Sequence, residues 1–298
     1  MGVTAARTAT SRSRDGELGG GRLVDVDAAA VAAGDVLVGE LADRLWRAEI
    51  EGTPIEPLTD SHPDLTVEDA YAIQTVNVER RVTTGGVVRG RKVGLTSRVM
   101  QQLLGVDEPD FGVLLDDMFV EDGDVVDPAA LLQPRVEAEI AFVLGRDLAG
   151  PGVTSADVLT ATAGVLPAIE IVDSRIADWR IQLADTVADN ASCGRVVIGG
   201  RLTAVATVDL RLVGMMFYRN GAPIDSGAGA AALGNPASCV AWLANKLGTL
   251  GSGLHRGDIV LPGALHRMVP ARAGDVFRAE FAHLGDVTVR FADAGGTP

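Results

Sequence analysis

Apolar residues recur at helical spacing near the start of the chain and at strand spacing through most of the rest. Leu37, Leu41 and Leu45 fall four residues apart and predict a helix over 36–49. Past the loop Pro54–Pro63, Thr66 with Asp69 three residues on is a capping signal for a helix to about 82. From Arg89 the texture changes to short β-rich runs broken by Gly, Asp and Pro: 91–95, 111–115, 135–144, 165–173, 195–199, 206–219, 258–261, 276–281 and 287–292. Two helices interrupt this series. Thr154 with Asp157 caps 155–164, and Asn235-Pro236 opens a stripe of Val240, Leu243 and Leu247 that stops at Gly248. The pattern predicts an α+β fold on a curved, mostly antiparallel sheet system, without internal repeats. Residues 34–298 read as a single domain, helical to about 85 and β-rich beyond. Residues 1–33 carry Arg7, Arg12, Arg14, Arg22 and the run Gly19-Gly20-Gly21 but few large apolar residues, and read as a disordered leader.

One strand carries an unusual polar face. In Pro134-Arg135-Val136-Glu137-Ala138-Glu139-Ile140-Ala141-Phe142-Val143-Leu144, alternation points Val136, Ala138, Ile140, Phe142 and Leu144 one way. Arg135, Glu137 and Glu139 point the other way, with the two acidic Cα atoms about 6.6 Å apart. Taken alone, the segment reads more simply as a half-exposed strand with a solvated acidic face. Neighbouring like charges are unfavourable, however, and a cation resolves the repulsion.

A second segment shifts that balance. Val165-Leu166-Pro167-Ala168-Ile169-Glu170-Ile171-Val172-Asp173 sets a lone glutamate in an apolar run, the pattern of a strand buried on both faces. A carboxylate there must be paired, protonated or metal-bound. Three carboxylates from two strands make a hard oxygen-rich site suited to Mg²⁺ or Mn²⁺, with positions left for water or another ligand. His62, His255, His266 and His283 show no ligand spacing, which argues against zinc.

Composition narrows the partners. Across 298 residues, 47% hydrophobic and 22% charged positions are enough to bury a sizeable core, and aromatics at 4% leave Val, Ala and Leu to fill it. Forty acidic against 26 basic residues give a formal charge of −14, which disfavours nucleic acid and anionic membranes. An acidic protein that handles carboxylates needs local positive charge from Lys, Arg or a metal ion. No apolar run approaches the roughly 18 residues of a membrane span. Cys193 and Cys239 lie in no C-x-x-C spacing and read as free thiols of a cytoplasmic protein. Gly227-Ala228-Gly229 is followed by Ala232 where a dinucleotide-binding loop needs its third glycine, and no phosphate-binding G-x-x-x-x-G-K-[ST] run occurs.

Five segments, in order and at compatible spacing, resemble one family. They are Gly90–Ser97 (GRKVGLTS), Gly105–Met118 (GVDEPDFGVLLDDM), Pro134–Gly145 (PRVEAEIAFVLG), Pro167–Arg175 (PAIEIVDSR) and Asp185–Gly194 (DTVADNASCG). The family is the hydratase/decarboxylase branch of the fumarylacetoacetate hydrolase superfamily, and the likeness runs from about residue 36 to 293. The resemblance implies a mixed β-sandwich roll with flanking helices and a Mg²⁺ or Mn²⁺ held by Glu137, Glu139 and Glu170. It implies a small 2-oxo or 2-hydroxy acid substrate whose carboxylate and 2-oxygen meet the metal, a homo-oligomer, and an association with a neighbouring enzyme of the pathway.

Individual residues carry a plain and a chemical reading side by side. Lys92 reads as a surface lysine by itself; by resemblance its ammonium polarises the substrate's 2-oxygen or relays protons. Asp110 reads as a turn residue; by resemblance it orients Lys92 or the attacking water. Asp189 and Ser192 sit in a polar loop, and the resemblance places them at the substrate, Ser192 as donor to its carboxylate. Arg175 and Arg180 read as ion-pair partners, and Asp225–Gly248 as packing and assembly. The expected activity is hydration of a 2-hydroxy-2,4-dienoate to a 4-hydroxy-2-oxo acid in aromatic meta-cleavage catabolism. The stretch Trp179–Asp189 favours it over a 2-oxo-3-enedioate (4-oxalocrotonate) decarboxylase. A C–C bond hydrolase would want a basic histidine dyad, and a non-catalytic assembly partner would not need an intact Lys92, Glu137, Glu139 and Glu170.

Overall fold

The computed structural model describes residues 34–98, 101–102 and 105–294. The leader expected over 1–33 lies outside the described residues. Three helices open the fold: α1 (Gly34–Glu51), α2 (Leu58–Ser61) and α3 (Val67–Thr83). Leu41, Leu45, Ala70 and Ile73 are buried where α1 meets α3, as their spacing predicts. Thr66 and Asp69 form the expected reciprocal capping box on α3.

Strands β1 (Val88–Gly94), β2 (Asp110–Leu115), β3 (Phe119–Glu121), β4 (Val125–Val126) and β5 (Arg135–Leu144) follow. Then come α4 (Ser155–Ala161), β6 (Thr162–Val172), α5 (Leu183–Ala188) and β7 (Cys193–Ile198). The chain ends with β8 (Gly214–Arg219), β9 (Ala222–Ala228), α6 (Pro236–Thr249), β10 (Ile259–Leu261), β11 (Val269–Pro270), β12 (Val276–Phe281) and β13 (Gly285–Phe291). The larger sheet runs β2-β1-β10-β5-β6-β7-β3, with β11 also on β5; the smaller runs β4-β13-β12-β8-β9. Pairing is mostly antiparallel, but β1–β10, β3–β7 and β4–β13 are parallel, which makes both sheets mixed.

The sheets face one another through β6, β12 and β13, so the α+β sandwich expectation holds. Between them and α6 lies the main core, with Val136, Ile140, Phe142, Ile169, Phe217, Phe277 and Leu243 all fully buried. The opposite face of the larger sheet is also covered. Ala141, Ala168, Leu114, Leu115, Met118 and Leu261 form a second apolar cluster there. Beside it, the helical layer of α1, α3 and α5 is pinned to β2 by the buried Gln74 amide. That amide donates to the Phe111 and Val187 carbonyls at 3.0 and 2.8 Å.

Three of the departures from expectation have a clear local cause. The strand expected over 206–219 starts only at Gly214, because Val205–Thr207 and Leu210–Leu212 form 3₁₀ turns, the second held by the Asp209 side chain on the Arg211 N–H. The helix expected over 155–164 stops at Ala161, where Thr162 turns extended and enters β6. Helix α5 was not anticipated, being too short to show a helical period; the Asp185 carboxylate starts it by accepting from the Gln182 N–H.

Candidate active site

The acidic face of β5 turns out not to be solvated. Glu137 stands directly opposite Glu170 in the β5–β6 ladder, and Glu139 lies two residues on, opposite Ala168. All three project to the same side of the sheet. One carboxylate oxygen from each lies within 4.8 Å of the others. Glu139 and Glu170 are each only 1% exposed, and Glu137 is partly exposed toward a cavity. Burial and the charge of Glu170 push Glu137 up to about 7. Burial, with Glu170 and Glu137, lifts Glu139 well above the ordinary carboxylate range, and burial lifts Glu170 against the pull of Lys92. Both Glu170 oxygens lack a hydrogen-bond partner, and Glu139 is held by one N–H, that of Gly263 at 2.7 Å. Buried, mutually repelling and under-bonded carboxylates are the donor set that a small divalent cation satisfies. The residues present fit such an ion.

Gly263 is required at its position. Its φ is +114°, and a Cβ there would come within 1.9 Å of the Thr96 hydroxyl oxygen. Only glycine lets the loop after β10 bring this N–H onto Glu139.

Lys92 is buried, not at the surface, on β1 opposite Gly112. Its Nζ lies 3.4 Å from Glu170 Oε1. Burial alone would strip its proton, but Glu170, with Cys193, Asp110 and Glu137 behind it, reverses that and holds the ammonium charged. Asp110 opens β2 opposite Gly94 and is buried; the turn reading fails because the strand begins at this residue. The Thr186 hydroxyl on α5 reaches its Oδ2 at 3.4 Å, while Oδ1 has no partner. Burial raises its proton affinity, partly offset by Lys92.

These groups line a cavity of about 530 Å³. Its remaining walls are largely apolar, with Val93, Val172, Trp179, Ile181, Leu265 and Met268. His266 is the one histidine in the lining, its Nε2 accepting the Ala138 N–H at 2.9 Å, so the dyad of a C–C hydrolase is not assembled there. Four lining residues, Leu95, Trp179, Ala191 and Ser192, have left-handed backbone with φ between 50° and 57°. Such conformations cost on the order of 1 kcal/mol or more for a residue with a Cβ and persist only where surroundings enforce them.

The structure thus brings together Lys92, Asp110, Glu137, Glu139, Glu170 and Ser192. Asp189 is the exception. It lies outside the cavity lining, its carboxylate turned onto Arg175, with the Arg175 N–H at 3.0 Å and the Ser174 hydroxyl at 3.3 Å. Its expected place at the substrate is therefore corrected to a supporting one, since burial without a cation partner would not keep it ionised. Arg180 pairs at the surface with Glu56 and Asp60, as anticipated. Gly263, Thr186 and Trp179 were missed. Leu261-Pro262-Gly263 announces a turn, but which N–H points at Glu139 is set by tertiary structure.

Comparison with known proteins shows the family. Residues 89–292 match the model of the fumarylacetoacetate (FAA) hydrolase C-terminal family. The chain is 51% identical over 252 residues to a 2-keto-4-pentenoate hydratase of Paraburkholderia xenovorans (strain LB400), covering 85% of this chain and 94% of that protein. It is 49% identical over 252 residues to a 2-hydroxyhexa-2,4-dienoate hydratase of Comamonas testosteroni, covering 84% and 96%. Among solved structures, 4-oxalocrotonate decarboxylase from Pseudomonas putida G7, complexed with magnesium and adipate, superposes with a TM-score of 0.84. It shares 38% identity over 86% of this chain and 98% of that one.

Proposed function

The chain belongs to the fumarylacetoacetate hydrolase family, and on that footing we propose that it is a divalent-metal-dependent hydratase of 2-hydroxy-2,4-dienoates in aromatic meta-cleavage catabolism. The observation that carries the metal-dependent part of this reading is the convergence of Glu137, Glu139 and Glu170 beside a charged, buried Lys92 in the lining of a largely apolar cavity. Relatives named for this hydration, at about half identity along most of their length, support it.

Glu137, Glu139 and Glu170 would hold Mg²⁺ or Mn²⁺. The ion, when bound, supplies Lewis acidity and a template for the substrate's carboxylate and 2-oxygen. The Lys92 ammonium, 3.4 Å from Glu170 Oε1, donates to the 2-oxygen and stabilises negative charge developing there. The Ser192 hydroxyl, buried and unpartnered, donates to the 1-carboxylate. Asp110, whose proton affinity is raised, gives a proton to C5 and takes up the one that the 2-hydroxyl sheds, as the dienol becomes a 2-oxo-3-enoate. Water then adds at C4, conjugate to the ketone, and the proton it loses ends on C3. The net change is one added water and a 4-hydroxy-2-oxo acid. The apolar walls keep other water from the substrate.

The reading extends to one catalytic domain over 34–298, acting in the cytoplasm as a homo-oligomer beside a pathway neighbour. Two free, buried cysteines agree with a reducing compartment. No described helix is long and apolar enough to cross a membrane.

The magnesium-complexed decarboxylase at 38% identity supplies a second reading. Both reactions build negative charge on the same 2-oxygen, so the carboxylates do not separate them. What differs is the far end, where a hydratase admits water at C4 and a decarboxylase releases a carboxylate. Incubated with 2-hydroxypenta-2,4-dienoate and Mg²⁺, the protein should bleach the dienol absorbance and yield a product heavier by one water. With the oxalocrotonate-type diacid, CO₂ release should be slow or absent. Fast CO₂ release without hydration of the dienoate would reverse the assignment.

A further inference from the structure

Three consecutive residues, Asn190, Ala191 and Ser192, adopt left-handed backbone, with φ of 53°, 50° and 54°. Runs of this kind are rare without glycine, because each Cβ crowds the following carbonyl. Ala191 and Ser192 are nonetheless buried and Asn190 half-buried, and the last residue carries the unpartnered hydroxyl in the cavity wall.

Two clamps hold it. On one side the Asn190 side chain reads both backbone groups of Val113 on β2, accepting its N–H at 2.7 Å and donating to its carbonyl at 2.9 Å. On the other side stands Arg175, 6% exposed. Its guanidinium donates Nη2–H to the Asp189 carbonyl at 2.6 Å and Nη1–H to the Cys193 carbonyl at 2.9 Å. Those carbonyls flank the three left-handed residues on either side. The Nε–H goes to the Asp189 carboxylate, which also takes the Arg175 backbone N–H. The Ser192 carbonyl in turn accepts the Asp173 N–H at 2.9 Å, at the end of β6 that follows Glu170. Arg175 does not line the cavity. A lysine in its place keeps the charge but has no planar fork to span two carbonyls and a carboxylate at once.

We infer that Arg175 is a positioning residue for catalysis, holding the left-handed turn 190–192 so that the Ser192 hydroxyl meets the substrate carboxylate. This rests on the hydratase reading above. Because the contact is with a group that does not react, its loss is felt in substrate binding more than in turnover of the bound complex. Because Arg175 acts through Ser192, the two side chains are energetically one unit.

The test is a double-mutant cycle on the Mg²⁺-loaded full chain with 2-hydroxypenta-2,4-dienoate, using Arg175→Lys, Ser192→Ala and the pair. Circular dichroism first shows that each variant folds. Each single change should raise KM about tenfold with kcat within about threefold, and the double variant should match the worse single within about twofold. In calorimetry, both single variants should lose affinity for 2-oxopentanoate in parallel and keep the Mg²⁺ affinity of the parent. A folded Arg175→Lys with unchanged KM, or losses that multiply in the double variant, would overturn the inference. If Arg175→Lys does not fold, Asn190→Ala, which releases the opposite clamp, takes its place in the same cycle. There, additive losses or an unchanged KM count against the turn's role. A parent protein that binds 2-oxopentanoate but does not hydrate the dienoate would sink the hydratase reading instead, and the binding cycle would still judge Arg175.

Discussion

Glu137 and Glu170 face one another across a β-ladder, an arrangement that is unfavourable without a cation between them. Glu139→Gln removes one ligand while keeping the shape and the Gly263 contact. It should weaken Mg²⁺ binding at least tenfold and abolish turnover, with the circular dichroism spectrum intact; full activity at ordinary Mg²⁺ would remove Glu139 from the site. Because Glu137 is raised to about 7 in the metal-free fold, an incoming ion displaces a proton below that pH. Mg²⁺ affinity should therefore rise from pH 6 to pH 8, with proton release visible in calorimetry run in buffers of different ionisation enthalpy. Lys92→Ala should cut kcat by a factor of about 100 or more and change Mg²⁺ affinity little, since its donor role is expressed in the transition state. At this scale the sequence was informative where a residue broke its surroundings: Glu170 stood out in an apolar run and is buried. On Asp189 the resemblance pointed to the substrate whereas its carboxylate is turned onto Arg175, because the two situations look alike in a polar loop.

Elements were legible in proportion to their period. α1, α3 and β5 were readable because long alternation or a helical stripe constrains both ends, and Thr66 with Asp69 marked a start that the structure realises as a capping box. Thr66→Ala should accordingly cost about 1 kcal/mol in denaturant unfolding with kcat unchanged. Strands β3, β4 and β11 were invisible because two or three residues have no periodicity. β9 was not read as a strand, its residues from Asp225 on being taken as packing, because Pro223 and Gly227 suppress the strand signal, which fits its place at the edge of the smaller sheet. The acidic face of β5 was ambiguous for a different reason. Whether such a face meets water depends on what packs over the sheet, and here Ala141, Ala168 and Leu261 on the same face are buried in an apolar cluster beside the acidic pair.

For the molecule as a whole, the triad sets function against stability. A carboxyl raised from 4.5 to about 7 by folding binds its proton more tightly in the native state than in the unfolded chain. Its contribution is therefore full below about pH 4.5 and is lost as pH rises toward 7. In metal-free protein at pH 8, Glu137→Gln should raise stability by on the order of 1–2 kcal/mol, or about 3 °C in melting temperature. Saturating Mg²⁺ should stabilise the parent by about 2.7 kcal/mol at a hundredfold excess over Kd and leave the variant nearly unmoved. A parent whose melting is indifferent to Mg²⁺ would contradict the binding assignment.

The position of β10 has a consequence in time. Lys92 and Asp110 ride on the β1–β2 ribbon and the three glutamates on the β5–β6 ribbon, yet these ribbons do not touch edge to edge. The three residues of β10 lie between them, pairing Gly90 with Ile259 on one side and Val143 with Ile259 on the other. The closing piece is thus made long after both halves it joins. The ribbon that carries the ammonium and the ribbon that carries the carboxylates are joined only by a strand that follows both in the chain. Until then the nascent chain holds two incomplete half-sites, and the loop that closes them is among the longest in the fold.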